Sequence, residues 1–470
     1  MFHKVLIANR GEIAVRIIRA CREMGIATVA VYSEVDRKSL HVRLADESYC
    51  IGKAPSTESY LRYSEIILTA LECGAQAIHP GYGFLSENAE FADLCRASGI
   101  VFIGPSAECI RAMGDKAVAR DTMSAAGIPV ARGTTRPVSS PDEAVRTAAR
   151  IGYPLLIKPA AGGGGKGMRI VEAGTELVAS LVSSQNEARA AFGDDHVYLE
   201  RFIPNARHVE FQILADNFGK VVHLGERECS VQRRHQKLIE EAPSPALDQT
   251  LRRKMGRTAI KAARAVDYRG VGTIEFLLTE NHKYYFIEMN TRLQVEHPVT
   301  ECVTGIDLVK SQIAVAAGQP LELDQRRIRL RGHAIECRIN AEDPHHDFMP
   351  SPGKIRGLAL PGGPGVRIDT HIYSGYEVPH HYDSLLAKCI VHSETRATAV
   401  ARMKQALTEF SVPSITTTAQ YLIRLLDHND FREGDYTTNL VSQLKTDDEH
   451  HELKSFMQKL FDSFHRGPEE

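Results

Sequence analysis

The 470-residue chain has no long apolar run, no paired-cysteine pattern, no internal repeat and almost no net charge. No stretch is apolar enough for long enough to span a bilayer, which argues against a membrane-spanning helix. The N-terminus runs through Val5-Leu6-Ile7-Ala8 and then meets Arg10 and Glu12, so it lacks the apolar core of a signal peptide. The nine cysteines include no Cys-x-x-Cys, and an odd, unpatterned set points to reduced thiols and a cytoplasmic location. A net charge of −2 implies no bulk attraction to nucleic acid or to an anionic membrane. What remains is an ordinary globular composition, 43% hydrophobic and 25% charged, long enough for two or three domains.

Short apolar strands alternate with helical patterns from residue 1 to about 113. Val5–Ala8, a helix near Ile13–Met24, Thr28–Tyr32, a helix near Ser64–Glu72, Ala77–His79 and Val101–Gly104 give the rhythm of a parallel, Rossmann-like sheet covered by helices. A new unit starts near Gly114-Asp115-Lys116. Gly127-Ile128-Pro129 and Ile151-Gly152-Tyr153-Pro154 punctuate a smaller module that ends near 203. Residues 204 to about 320 mix strands and helices. From Arg331 come strand-like segments, a Pro/Gly-rich stretch at 350–365 and an amphipathic helix near Ala397–Glu409.

The chemistry concentrates after Gly272. Gly272–Leu278 and Lys283–Glu288 are rich in β-branched and aromatic residues, and Glu280-Asn281-His282 suits a tight turn between them. A hairpin turning at Asn281-His282 places Glu275 opposite Glu288, with Asn290 two residues on and on the same face. Facing carboxylates repel unless a cation lies between them. Two carboxylates and an amide oxygen suit Mg²⁺, although a solvated sheet face would also carry such acids.

Pro154–Lys158 leads into Gly162-Gly163-Gly164-Gly165-Lys166-Gly167, and Met168–Val171 follows. Consecutive glycines free backbone N–H groups to approach phosphate oxygens. A Walker A loop is excluded, because Ala160 and Gly167 stand where glycine and Ser/Thr are needed. The dinucleotide fingerprint is excluded because a strand follows instead of a helix. A phosphate-covering hairpin fits, and so does a merely mobile loop. Cys229–Lys237 is locally basic, either a solvated face or an anion site. His208, Glu210 and Gln212 share one face of a strand that borders either solvent or a cleft.

Taken together, in order, Ile7–Ala14, His79–Asn88, Met113–Lys116, the glycine loop, Arg233–Lys237, Glu288–Arg292, Gln294–Glu301 and Glu336–Glu342 closely resemble the biotin carboxylase component of biotin-dependent carboxylases, over about residues 2–446. The resemblance implies an α/β and α+β multidomain chain. It would have an N-terminal domain at 1–113, an ATP-grasp domain at 114–320 with a mobile glycine-rich lid at about 130–203, and a mixed C-terminal domain at 321–446. It implies that Lys116, Lys158, Gly164, Gly165, Met168, Glu200, Arg201, Phe202, Ile203, His208, Gln232, His235, Glu275 and Glu288 bind ATP. Glu275, Glu288 and Asn290 would hold Mg²⁺ or Mn²⁺. Lys237, Arg292, Gln294, Val295 and Arg338 would surround bicarbonate, with Glu296 as its base; Lys237, Arg292, Glu296 and Arg338 form the catalytic set. Tyr82 and Arg338 would place biotin.

No Ala-Met-Lys-Met segment is present, so biotin is expected as a substrate on a separate carrier protein, not bound covalently to this chain. A biotin carboxyl carrier protein, a carboxyltransferase component and a second copy of the chain are the implied partners, with no nucleic acid or membrane. Acetyl-CoA carboxylase is the expected system. A two-subunit pyruvate carboxylase or another acyl-CoA or 2-oxo acid carboxylase uses the same half-reaction. Another ATP-grasp ligase would lack the Arg292–Glu296 run, and a nucleotide-binding regulator would not need Glu296 or Arg338. Two features depart from the family pattern. Tyr436-Thr437-Thr438 puts the usual apolar adenine contact in doubt at Thr438, and residues 447–470 read as an added amphipathic helix behind a Thr446–Glu449 capping box.

Overall fold

The computed structural model describes residues 1–138, 140–160 and 167–444. Near the N-terminus, β1 (Lys4–Ile7), β2 (Ala27–Ser33), β3 (Glu47–Gly52), β4 (Ala77–His79) and β5 (Val101–Phe102) pair in parallel in the order β3-β2-β1-β4-β5. Helices on both faces explain why β1 is continuously apolar: Val5 and Ile7 enter one core, Leu6 the other. The edge strand β3 carries no such run and was not marked by the sequence.

Residues 141–201 form a small module. In it, β6 (Leu155–Pro159), β7 (Arg169–Val171) and β8 (Val197–Arg201) pair antiparallel in the order β7-β6-β8. The helices Pro141–Ile151 and Leu177–Phe192 pack on this sheet through Ala144, Ala148 and Leu181 against Leu155, Ile157 and Leu199. A strand follows the glycine loop, as expected, while residues 161–166, with Gly164 and Gly165, lie outside the described residues.

The largest sheet has eight strands. β9 (Arg207–Ala215), β10 (Val221–Arg233), β11 (Gln236–Ala242), β12 (Gly270–Leu278), β13 (Tyr284–Asn290) and β14 (His333–Asn340) are extended by Leu385–Ser393 and then Val366–Thr370. The order is β13-β12-β9-β10-β11-β14 and then those two strands, antiparallel throughout. The sheet therefore runs on across residue 320. One face is core. Phe211, Ile274 and Phe276 meet Met255 and Ala259 of the helix Gln249–Ala265, and Ile335, Cys337 and Cys389 meet Met403 and Leu422 of C-terminal helices. The other face carries the polar residues of the site. No helix among the described residues is long and apolar enough to cross a membrane. The sequence-predicted tail helix at 447–470 lies outside them.

Candidate active site

Register builds the site. Glu288 on β13 pairs with Glu275 on β12, Glu275 with Glu210 on β9, and Glu210 with Arg227 on β10. Alternation thus sends three carboxylates and one guanidinium to the same face in a row across four strands. The opposition of Glu275 and Glu288 stands, but for a reason that turn length alone does not supply. Near the turn, Phe276 pairs with Phe286; past it, Glu275 pairs with Glu288, so Ile287 is a bulge. The three-residue turn, with His282 at φ +56°, and the bulge together restore the register.

Such a row of buried acids holds together only around cations. Lys237 Nζ donates to Glu210 Oε2 at 2.6 Å, Glu275 Oε1 at 3.1 Å and Glu296 Oε1 at 2.6 Å. Arg227 donates to Glu210, Gln212, Thr273 and Thr300. The face of His208, Glu210 and Gln212 is therefore buried, not solvent-exposed, and of the three His208 lines the cleft. Arg338 spans Glu240 Oε1 (Nε, 2.7 Å) and Glu296 Oε2 (Nη2, 2.9 Å). Arg292 donates to Glu87 Oε2 (2.8 Å), Gln294 Oε1 (2.7 Å) and Asn290 Oδ1 (3.0 Å). Gln294 and Asn290 in turn donate to Glu275 Oε1 at 3.0 and 2.8 Å.

These contacts set the protonation states. Burial alone would raise the Glu296 carboxyl, but Lys237, Arg338 and Arg227 hold it well below the usual carboxylate range. Burial would lower the Lys237 ammonium, and the three glutamates around it push it well up. Glu288 is raised by burial and by the negative charge of Glu275, with Lys116 opposing. The His208 imidazole, 2.8 Å from Glu275, is lowered by burial, but the Glu275 and Glu210 carboxylates raise it on balance.

The fit of a divalent cation follows. Glu288 faces Glu275 across the hairpin, and burial together with that neighbouring charge raises its carboxyl, a conflict that a divalent cation held by the two acids would relieve. The donors are hard oxygens, as Mg²⁺ prefers. The Asn290 amide sits beside them, its oxygen accepting from Arg292.

One cleft of about 1660 Å³ gathers the predicted residues. Lys116, Lys158, Met168, Glu200, Arg201, Phe202, Ile203, His208, Gln232, His235, Glu275 and Glu288 line it; Lys158 Nζ donates to Glu200 at 2.7 Å. Asn290, Arg292, Gln294, Val295, Glu296, Lys237 and Arg338 line the same space, and so does Tyr82. Tyr82 hydrogen-bonds to Glu12, which pairs with the buried Lys388 at 3.1 Å; Lys388 donates to Val295 O at 2.9 Å. Thr438 lines the wall with Phe202 and Ile203, its backbone N–H bonded to Ala206 O at 3.1 Å. Glu87 and Glu240 were assigned no role from sequence. Glu87 stood inside a matching block, His79–Asn88, whereas Glu240 carried no local signal.

An eight-stranded antiparallel sheet with paired acids on a hairpin, and a small three-stranded module beside the cleft, defines an ATP-grasp protein. Three family models divide the chain: the biotin carboxylase N-terminal domain over residues 1–110, the carbamoyl-phosphate synthase L chain ATP-binding domain over 115–324, and the biotin carboxylase C-terminal domain over 336–443. The chain is 57% identical to the biotin carboxylase of Nostoc sp. over 443 residues, covering 94% of this chain and 99% of that one. It is 52% identical to a pyruvate carboxylase subunit of Methanothermobacter thermautotrophicus, covering 95% and 90%. The biotin carboxylase domain dimer of Hydrogenobacter thermophilus 2-oxoglutarate carboxylase, solved with MgADP, ADP and bicarbonate, matches with a TM-score of 0.91 at 49% identity, covering 94% and 98%. The chain belongs to the biotin carboxylase family.

Proposed function

We propose that this chain carboxylates biotin on a carrier protein, using ATP and bicarbonate, as the first half-reaction of an acetyl-CoA carboxylase. The observation that carries the reading is the Lys237–Glu296–Arg338 arrangement at one end of a cleft whose other end holds Lys116, Lys158 and the Glu275–Glu288 pair. ATP would lie between Ile203 and Thr438 at the adenine end and the lysines at the phosphate end. Mg²⁺, or Mn²⁺, held by Glu275, Glu288 and Asn290 would offset phosphate charge.

Bicarbonate would enter between Arg292, Gln294, the Val295 backbone, Lys237 and Arg338. Ionised Glu296 is a weak base while both cations hold it. When bicarbonate takes over contacts from Lys237 and Arg338, the carboxylate regains basicity and accepts the bicarbonate proton as the oxygen attacks the γ-phosphate. The carboxyphosphate formed as ADP leaves would split into CO₂ and phosphate beside the biotin ring; the phosphate would take the ureido N–H proton, Arg338 would face the oxyanion so formed, and the ring nitrogen, placed by Tyr82, would attack CO₂. The module at 141–201 would exclude water from this intermediate.

The same half-reaction in a pyruvate or other 2-oxo acid carboxylase is compatible with the two relatives of those names at 52% and 49% identity. The carrier and carboxyltransferase partners and a homodimer belong to this reading, as does a cytoplasmic setting, consistent with nine free cysteines. Bicarbonate-dependent ATP cleavage stimulated by free biotin tests it. Glu296→Gln should keep ATP binding and lose biotin-dependent turnover; undiminished carboxybiotin formation in that variant would overturn the role of Glu296. Co-purified partners would identify the carboxyl acceptor.

A further inference from the structure

Behind Arg338 the sheet carries a second pair of acids that the reaction does not use. Glu240 on β11 and Glu336 on β14 are direct cross-strand partners, and both are fully buried. Their side chains emerge on the face covered by the helix His297–Thr304, whose Val299 and Val303 pack on Ala242 and Ala334, two residues along each strand, and on Ile390, the cross-strand partner of Glu336. Of the four carboxyl oxygens, only Glu240 Oε1 has a partner, the Arg338 guanidinium at 2.7 Å. Glu240 Oε2 and both oxygens of Glu336 have no hydrogen-bond partner among the described residues.

Two carboxylates directly opposed on neighbouring strands and fully buried strongly disfavour double ionisation. The surroundings decide which keeps its charge. Glu240 meets Arg338 directly, and Lys237 stands on its own strand. Glu336 faces Arg338 on its own strand, Glu240 on β11, Lys388 on the neighbouring strand, and Glu296 and Cys302 at the covering helix. Lys388 is already committed to Glu12 and the Val295 carbonyl. Burial together with Glu240 and Glu296 pushes Glu336 well above the usual carboxylate range; burial raises Glu240 as well, but the bonded Arg338 and nearby Lys237 oppose that rise.

We propose that Glu240 and Glu336 are a positioning pair for Arg338, in which Glu336 stays a neutral carboxylic acid and Glu240 alone carries the charge that aims the guanidinium at Glu296. A single proton also turns facing orphaned oxygens into a donor and an acceptor. With both acids ionised, the doubled negative charge would draw Arg338 away from Glu296 and from the oxyanion it is proposed to meet. With neither ionised, Arg338 would lose its anchor. The inference rests on the roles proposed for Arg338 and Glu296.

Two measurements test it. The first is pH-dependent infrared difference spectroscopy of the full chain, which needs no turnover. The wild type minus Glu336→Gln should show a protonated-carboxyl stretch at neutral pH that fades as pH rises; its absence overturns the proposal whatever the enzyme does. The second is the pH profile of biotin-stimulated, bicarbonate-dependent ATP cleavage. Glu336→Gln, an uncharged stand-in for the acid, should stay within about threefold of wild-type kcat at neutral pH and lose an alkaline decline seen in the wild type. Glu240→Gln should lower kcat by about a hundredfold with KM for ATP unchanged. Superimposable profiles for wild type and Glu336→Gln, or a fully active Glu240→Gln, overturn the proposal. If Glu336→Gln does not fold, Glu336→Met fills a similar volume without a polar group and serves in both measurements. A wild type without bicarbonate-dependent ATP cleavage would instead sink the functional reading, and the infrared band would still decide the state of Glu336.

Discussion

Adjacent glutamates show how far single environments diverge. Glu240 points to the cleft face and is raised; Glu241 points to the opposite face and is held low, to about 2, because His333 and Arg396 outweigh its burial; the Tyr436 hydroxyl also donates to it. The Arg396 contacts are bidentate, at 2.7 and 2.9 Å. A carboxyl whose folded value is depressed contributes stability that is complete above its unfolded value and is lost as pH falls through the folded one. For Glu241 that window runs from about 4.5 down to about 2. Glu241→Gln should therefore destabilise the protein by on the order of 3 kcal/mol at pH 7, since it leaves the partly buried Arg396 without its charge partner. Urea midpoints measured from pH 7 to pH 3 should converge between variant and wild type as pH drops; a constant gap would show that the ion pair is not the cause. Strand alternation told the faces of Glu275, Glu288 and Asn290 from sequence, because all three lie on one hairpin. It said nothing of Glu240, whose meaning depends on β14, nearly a hundred residues away in the chain.

At the scale of elements, the same alternation gives each strand of the hairpin two duties. Glu275 faces the cleft while Phe276 faces the core, fully buried and edge-on to Phe211 and Tyr284 at 6.2 and 5.5 Å. Phe276→Ala should cost about 3–5 kcal/mol through the lost apolar contacts and the cavity left behind. Because Glu275, the proposed metal ligand on this strand, leaves it on the other face, the rise in melting temperature expected with MgADP should persist in the variant. Thermal unfolding with and without MgADP checks both parts, and loss of the MgADP shift would mean that core packing sets the acid geometry. The strands β1, β2, β12 and β13 were legible because apolar runs and turn residues mark them. The strand β3 was not, because Glu47, Ser48, Tyr49 and Cys50 lie at a sheet edge and need little burial. The bulge at Ile287 left no mark in the sequence either, since it is a property of pairing. The joining of β14 and Leu385–Ser393 to β11 is likewise set by long-range register, which no local pattern records.

Across the whole molecule, the cleft is assembled from distant parts of the chain. Tyr82 and Glu87 come from the N-terminal region, Glu275 to Glu296 from the middle, and Arg338 from beyond residue 330. Buried ion pairs tie these parts together. Arg16 reaches Glu301 and Asp307 at 2.9 and 2.8 Å, and Lys388 reaches Glu12. Arg10 grips Asp36 with two bonds of 2.6 and 2.8 Å, stacks 4.2 Å over the Tyr382 ring and donates to the Tyr376 hydroxyl at 3.3 Å. Tyr382 in turn donates to Ser33 at 2.6 Å, so one arginine holds the N-terminal sheet to the C-terminal region. Arg10→Met leaves the Asp36 carboxylate buried beside an apolar chain and should cost about 3–5 kcal/mol. The kinetic effect should be uneven. The lysines and acids assigned to ATP lie between residues 116 and 290, within the central sheet and the module beside it, whereas biotin is assigned to Tyr82 and Arg338 on opposite sides of the Arg10 contact. Loosening that contact should raise KM for biotin several-fold more than KM for ATP, read from steady-state rates with each substrate varied in turn. Equal increases in both would mean that Arg10 supports general stability alone and that the two halves of the biotin site do not depend on this clamp.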